Sequence, residues 1–145
     1  MKNILFLLFF LSLGHTSTAQ KTKKPNIIFI LADDLGIGNI SCYGSDQFKT
    51  PNIDKLASTG MRFTHGYTAP LCGPSRALIL TGRQPFRTGT TNQDRVGKLE
   101  PAKEICLPSV LKTAGYTSLM VGKWSQFPLQ PSDFGFDEYM RFQAS

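Results

Sequence analysis

Two patches of this sequence combine residue types that can do chemistry. Asp33 and Asp34 are adjacent carboxylates directly after an apolar run, and Cys72, Pro74 and Arg76 open a second apolar stretch. Neighbouring carboxylates repel unless a cation or a hydrogen-bond network holds both ionised, and a divalent ion with oxygen ligands does so. The competing reading is an Asp pair that caps the following turn. At Cys72, Gly73-Pro74 begins a helix whose first backbone N–H groups face the cysteine, a ready anion site. Arg76, one turn in, adds a planar fork suited to two oxygens of a tetrahedral oxyanion. Taken alone, a cysteine near an arginine reads more simply as a buried thiol beside a surface cation.

The elements that must position these residues follow from periodicity. Residues 26–32 (NIIFILA) form a continuous apolar run of the kind found in buried parallel strands. Thr50-Pro51 resembles a cap followed by proline at the first helical position, and Ile53, Leu56, Ala57 and Met61 recur at helical spacing, with Gly60 near the end. Phe63, His65 and Tyr67 alternate with polar neighbours and predict a second strand. A helix from Pro74 is closed by Gly82, and a third, opened by Pro108, ends before Gly115. Residues 116–121 predict a strand ending at Gly122-Lys123, and residues 87–103 a long surface loop. This order suggests an α/β layered fold. In such sheets ligands collect beyond the carboxyl ends of strands, where Asp33, Asp34 and Lys123 all fall.

The 145 residues allow one modest domain, and 41% hydrophobic with 18% charged residues is ordinary for a globular chain. Residues 1–19 have a lysine, an apolar run over 4–11 and the small-residue end Ser17-Thr18-Ala19, which reads as a cleaved export signal, periplasmic or secreted. The apolar run is too short for a stable membrane span. The net charge of +6 suits an anionic ligand. Nucleic acid is disfavoured, since no aromatic-basic recognition motif appears. Cys42, Cys72 and Cys106 are an odd set for an exported chain, so at least one stays unpaired or is modified. No Cys-x-x-Cys spacing points to structural zinc.

Cys72-Gly-Pro-Ser-Arg76 followed by Leu80-Thr-Gly-Arg83 resembles the signature of the sulfatase family. The resemblance extends in family order through residues 25–36, 50–56, 60–63, 114–116 and 121–124. It implies an alkaline-phosphatase-like layered sheet with flanking helices, incomplete here, with residues 20–145 as the N-terminal part of a catalytic domain. It further implies that formylglycine-generating machinery oxidises Cys72 to Cα-formylglycine, Pro74 and Arg76 being part of the modification motif. In the family mechanism the hydrated aldehyde attacks the sulfur of a sulfate ester, and its second hydroxyl later expels sulfate. Position by position, Asp33, Asp34 and modified Cys72 match Ca2+ ligands, Arg76 matches the residue steadying the hydrate, and Lys123 matches a sulfate-binding lysine. The implied substrate is a sulfated small molecule or glycan.

Two departures qualify the match. Ser125 stands where a sulfate-contacting histidine is expected; it can donate a hydrogen bond to substrate but cannot act as a near-neutral acid. His65, on the expected second strand, reads as a structural histidine and no replacement. Family members are also several times longer, with further calcium and sulfate ligands downstream. An incomplete sheet leaves edges and apolar faces uncovered, so the chain alone is expected to be unstable and inactive. The alternatives are a non-catalytic fragment or pseudoenzyme and a formylglycine-dependent phosphodiester or phosphonate hydrolase.

Overall fold

The computed structural model describes residues 23–124 and 126–142. The expected signal segment and Ser125 therefore lie outside the described residues. The chain divides into two units, Met1–Leu31 and Ala32–Ser145. In the first, residues 23–31 form neither helix nor strand, so the strand expected over 26–32 is corrected. An apolar parallel strand needs ladder neighbours and covering layers on both faces. The sheet among the described residues has only two strands, both in the second unit, and Ile28 and Ile30 are exposed.

In the second unit, helix α1 (Pro51–Thr59) forms where the capping pattern places it, with Pro51 in its first turn and Gly60 at its end. Its start is fixed by a polar knot. Ser41 Oγ donates to Asp54 Oδ2 at 2.6 Å, Cys42 N donates to Asp54 Oδ1 at 2.8 Å, and Thr50 N donates to Ser41 Oγ at 2.9 Å. The Thr50 hydroxyl is occupied by Ser41 and Asp54 instead of capping the helix. No strand forms at 63–67. Phe63 instead accepts a hydrogen bond from the Tyr43 hydroxyl through its carbonyl oxygen, and both Phe63 and Tyr67 are exposed.

Helix α2 (Cys72–Thr81) buries Gly73, Pro74, Ala77, Leu80 and Thr81, positions spaced to share one face. It stops because Gly82 turns left-handed at φ +66°, a conformation that glycine adopts without strain. The surface loop expected over 87–103 is instead partly folded. It contains the end of the short helix α3 (Pro85–Thr88), then α4 (Gln93–Val96) and a 3-10 turn at Pro101–Lys103, with Thr90, Val96 and Leu99 buried. Polar composition hid those anchors. Helix α5 (Leu107–Thr113) matches its Pro108 signal.

Strand β1 (Leu119–Lys123) pairs in parallel with β2 (Glu138–Phe142), from Leu119 opposite Glu138 to Lys123 opposite Phe142. The strand begins later than residue 116 because Tyr116 N still donates to Leu111 O, closing α5, while Ser118 N is held by Asp137. The segment joining the strands packs back on the core through Phe134, which is 1% exposed. Trp124 stacks on Phe127 with centroids 4.3 Å apart and meets Phe134 edge-on at 5.3 Å, its indole N–H bound to Leu129 O. Ala77, Leu80, Leu99 and Cys106 complete this cluster. The core therefore holds α2 directly against the residues that follow β1.

Candidate functional site

The amino end of α2 and the carboxyl end of β1 place their polar groups together. Ser75 secures the approach to the helix, its hydroxyl 2.9 Å from Ala69 O and 2.8 Å from Leu71 O. With Pro74 and Ser75 buried, Cys72 is left half-buried on the first turn. Arg76 lies one turn later on the same side. Its Nη1 donates to Lys123 O at 3.2 Å and its Nη2 lies 3.7 Å from Asp33 Oδ1, while its Nε is buried without a partner.

Lys123 is the hub of the cluster. Its ammonium lies 2.5 Å from Asp33 Oδ2 and 3.8 Å from Cys72 Sγ. The hydrogen bond from Lys123, then its charge and that of Arg76, hold the Asp33 carboxyl below its ordinary value against an opposing effect of burial. The same hydrogen bond pushes Lys123 upward, again against desolvation. The result is a carboxylate met by two cations, one of which, Lys123, also reaches the thiol.

Of the residues singled out in the sequence, Asp33, Cys72, Arg76 and Lys123 are thus brought together by α2 and β1. Asp34 is exposed at φ +55° and takes no part in these contacts. His65 is exposed rather than enclosed and shares a hydrogen bond with the Thr64 hydroxyl at 3.0 Å. The three cysteines are all free thiols, Cys106 in the core, where burial pushes it upward.

Two amides reach the site that sequence reasoning did not single out. Gln93 Nε2 donates to Cys72 Sγ at 3.0 Å, and Gln93 Oε1 and Gln126 Oε1 are buried without partners. A Cβ on Gly73 would fall 2.0 Å from Gln93 Oε1 and 3.3 Å from Gln126 Cγ. Glycine at 73 therefore leaves the space that Gln93 fills. A glutamine in a polar stretch carries no pattern that announces this. Arg83, a residue of the motif, holds both carboxylate oxygens of Glu104, at 2.8 and 2.7 Å, and so braces the exit of α2.

Asp33 and Asp34 supply hard oxygen donors, the chemistry a calcium ion takes. Among the described residues no group of three His, Cys, Asp or Glu side chains is close enough to hold an ion by itself. In kind the pair suits calcium, which uses six to eight oxygens, and of the two only Asp33 is drawn into the cluster.

The sulfatase family model matches residues 25–145. The chain belongs to the sulfatase family. This sulfatase chain is 44% identical over 133 residues to human steryl-sulfatase, a match covering 86% of the chain and 22% of the relative. It is also 44% identical over 150 residues to N-acetylgalactosamine-6-sulfatase from Canis lupus familiaris, covering 92% of the chain and 28% of the relative. Among solved structures it resembles Ps i-CgsB with a TM-score of 0.75 and 38% identity, covering 85% of this chain and 29% of that one. The same protein has been solved in complex with k-i-k-neocarrahexaose, with a TM-score of 0.75. The sulfatase chain spans about a quarter of the length of the curated relatives it matches. Its mixed α/β architecture, with two parallel strands, accords with those structures over that part. Among the described residues no helix is long and apolar enough to cross a membrane.

Proposed function

We propose that these residues form the N-terminal part of a sulfate-ester hydrolase site, within an alkaline-phosphatase-like layered domain beginning at residue 20 of an exported protein. The observation that supports this reading is the position of Lys123, bridging Asp33 and Cys72 while its carbonyl oxygen orients Arg76. That arrangement suits a tetrahedral, doubly oxygen-bound anion presented to the side chain at position 72.

Cys72 serves as precursor of Cα-formylglycine, with Pro74 and Arg76 in the motif read by the exporting cell's modifying enzyme. Formylglycine supplies, as its hydrate, an oxygen nucleophile that can later release sulfate without a separate water attack. Asp33 and Asp34 would hold calcium, which would supply Lewis-acid polarisation of sulfate oxygens. Lys123 and Arg76 bind the sulfate oxygens and stabilise charge as the ester bond breaks, exchanging their contacts with Asp33 for the anion. Ser125, if it faces the same anion, contributes a hydrogen bond, and another group must protonate the leaving oxygen. A sulfated glycan is the favoured substrate class, supported by the oligosaccharide complex of the neighbouring structure.

The test is hydrolysis of a chromogenic aryl sulfate and, in parallel, an aryl phosphodiester by this chain completed with the downstream part that its relatives carry, with formylglycine verified and calcium supplied. Turnover of the sulfate, abolished in Cys72→Ala, is the expected result. Preference for the phosphodiester would move the assignment to phosphoryl transfer, and no turnover of either would leave this chain a non-catalytic member of its family.

A further inference from the structure

Resting on the formylglycine reading, we infer that Gln93 is a further residue of the site, holding the side chain at position 72 in its hydrated form. In the thiol state one end of the Gln93 amide donates to Cys72 Sγ at 3.0 Å, while its carbonyl oxygen is buried without a partner beside Gly73. A buried carbonyl oxygen lacking a donor is costly, and thiols are poor donors. Hydration changes what position 72 offers. Water adds across the aldehyde: its oxygen bonds to the carbonyl carbon, one of its protons ends on the former carbonyl oxygen, and nothing is oxidised or reduced.

The aldehyde presents only an acceptor, whereas the hydrate presents two hydroxyls on one carbon. One can accept from the Gln93 N–H while the other donates to its carbonyl. The match holds whichever amide end faces which hydroxyl, because each hydroxyl can do both. An amide that binds the hydrate with one more hydrogen bond than the aldehyde shifts their equilibrium toward the hydrate. Gly73 permits this approach, since a Cβ there would collide with the amide oxygen at 2.0 Å. Lys123, 3.8 Å from the sulfur, supplies a further donor to the same carbon's substituents.

The experiment measures capture of the free aldehyde by an aminooxy probe in the native, purified full chain, normalised to the capture rate in denaturant. Peptide mass confirms conversion at position 72 in every variant beforehand. Gln93→Leu is expected to speed native capture by about fivefold, the change one hydrogen bond makes in an equilibrium. Gln93→Glu, which keeps the size and the acceptor, is expected to stay slow. Gly73→Ala, which evicts the amide, is expected to match Gln93→Leu, and the double variant to add nothing further. Folding is checked by thermal melting, and a role confined to packing would lower the melting temperature without changing capture in the folded chain. Equal capture by wild type and folded Gln93→Leu overturns the inference. If Gln93→Leu does not fold, slow capture by Gly73→Ala or fast capture by Gln93→Glu overturns it. An intact thiol in the unsubstituted chain overturns the formylglycine reading itself, a separate failure that the mass measurement identifies.

Discussion

The Lys123 ammonium lies 2.5 Å from a carboxylate oxygen of Asp33, although the two residues are 90 positions apart in sequence. This pair draws the loop after residue 32 to the end of β1 and accounts for the direction in which both groups are shifted. Removing the ammonium in Lys123→Met should let the Asp33 carboxyl rise toward its ordinary value, since Lys123 is the main cause of its depression. NMR titration of the Asp33 side chain checks this; an unchanged midpoint contradicts the geometry.

Among the described residues Phe134 is the largest fully buried side chain, and it contacts both Trp124 and Phe127. Phe134→Ala is expected to cost about 3–5 kcal/mol through lost burial and the cavity left behind. Trp124 is the sole tryptophan, so its fluorescence during urea unfolding reports on this cluster directly. A loss below about 1 kcal/mol would show that the aromatic cluster does not organise the fold.

Gly135 adopts φ +96°, and a Cβ there would fall 2.3 Å from Ser109 Oγ and 3.2 Å from Ser109 N. Gly135→Ala combines left-handed strain of about 1–2 kcal/mol with this collision. Gly44, also left-handed but with open space around it, provides the comparison. Gly135→Ala should lower the melting temperature more than Gly44→Ala, and equal effects would refute the steric part.

Asp137 accepts hydrogen bonds from Lys112 Nζ at 2.6 Å and from Ser118 N at 2.9 Å, joining β2 to α5 and to the approach of β1. Lys112 first, then the Ser118 backbone N–H, lower its carboxyl to about 2. Because the folded value lies below the ordinary 3.8, its stabilisation is complete above that value and is lost as pH falls through about 2. Asp137→Asn should remove this acid-side dependence, as measured by melting temperature from the ordinary carboxylate range downward. A parallel decline in both proteins would contradict it.

The helices were legible because their signals are local. Pro51 and Gly60 bracket α1, Gly82 stops α2, and Pro108 opens α5. Strands depend on partners that no local pattern supplies. Residues 26–32 have strand composition but no ladder among the described residues, and the alternation at 63–67 is likewise unpaired. In the site, residues of distinctive chemistry were visible: Asp33, Cys72, Arg76 and Lys123 converge. Gln93 was not, because an amide acquires its role only from the atoms around it, here the Cys72 sulfur and the space left by Gly73. Arg83 shows the converse, a motif residue whose contact is an ion pair with Glu104.

We propose that Cys72 is a precursor rather than a structural thiol. Peptide mass spectrometry across residues 63–76, on chain exported from a host with formylglycine-generating machinery, tests it most directly. An aldehyde at position 72 is expected, and no conversion in Arg76→Ala. An intact Cys72 thiol, with a known sulfatase fully converted in the same cells, would contradict it.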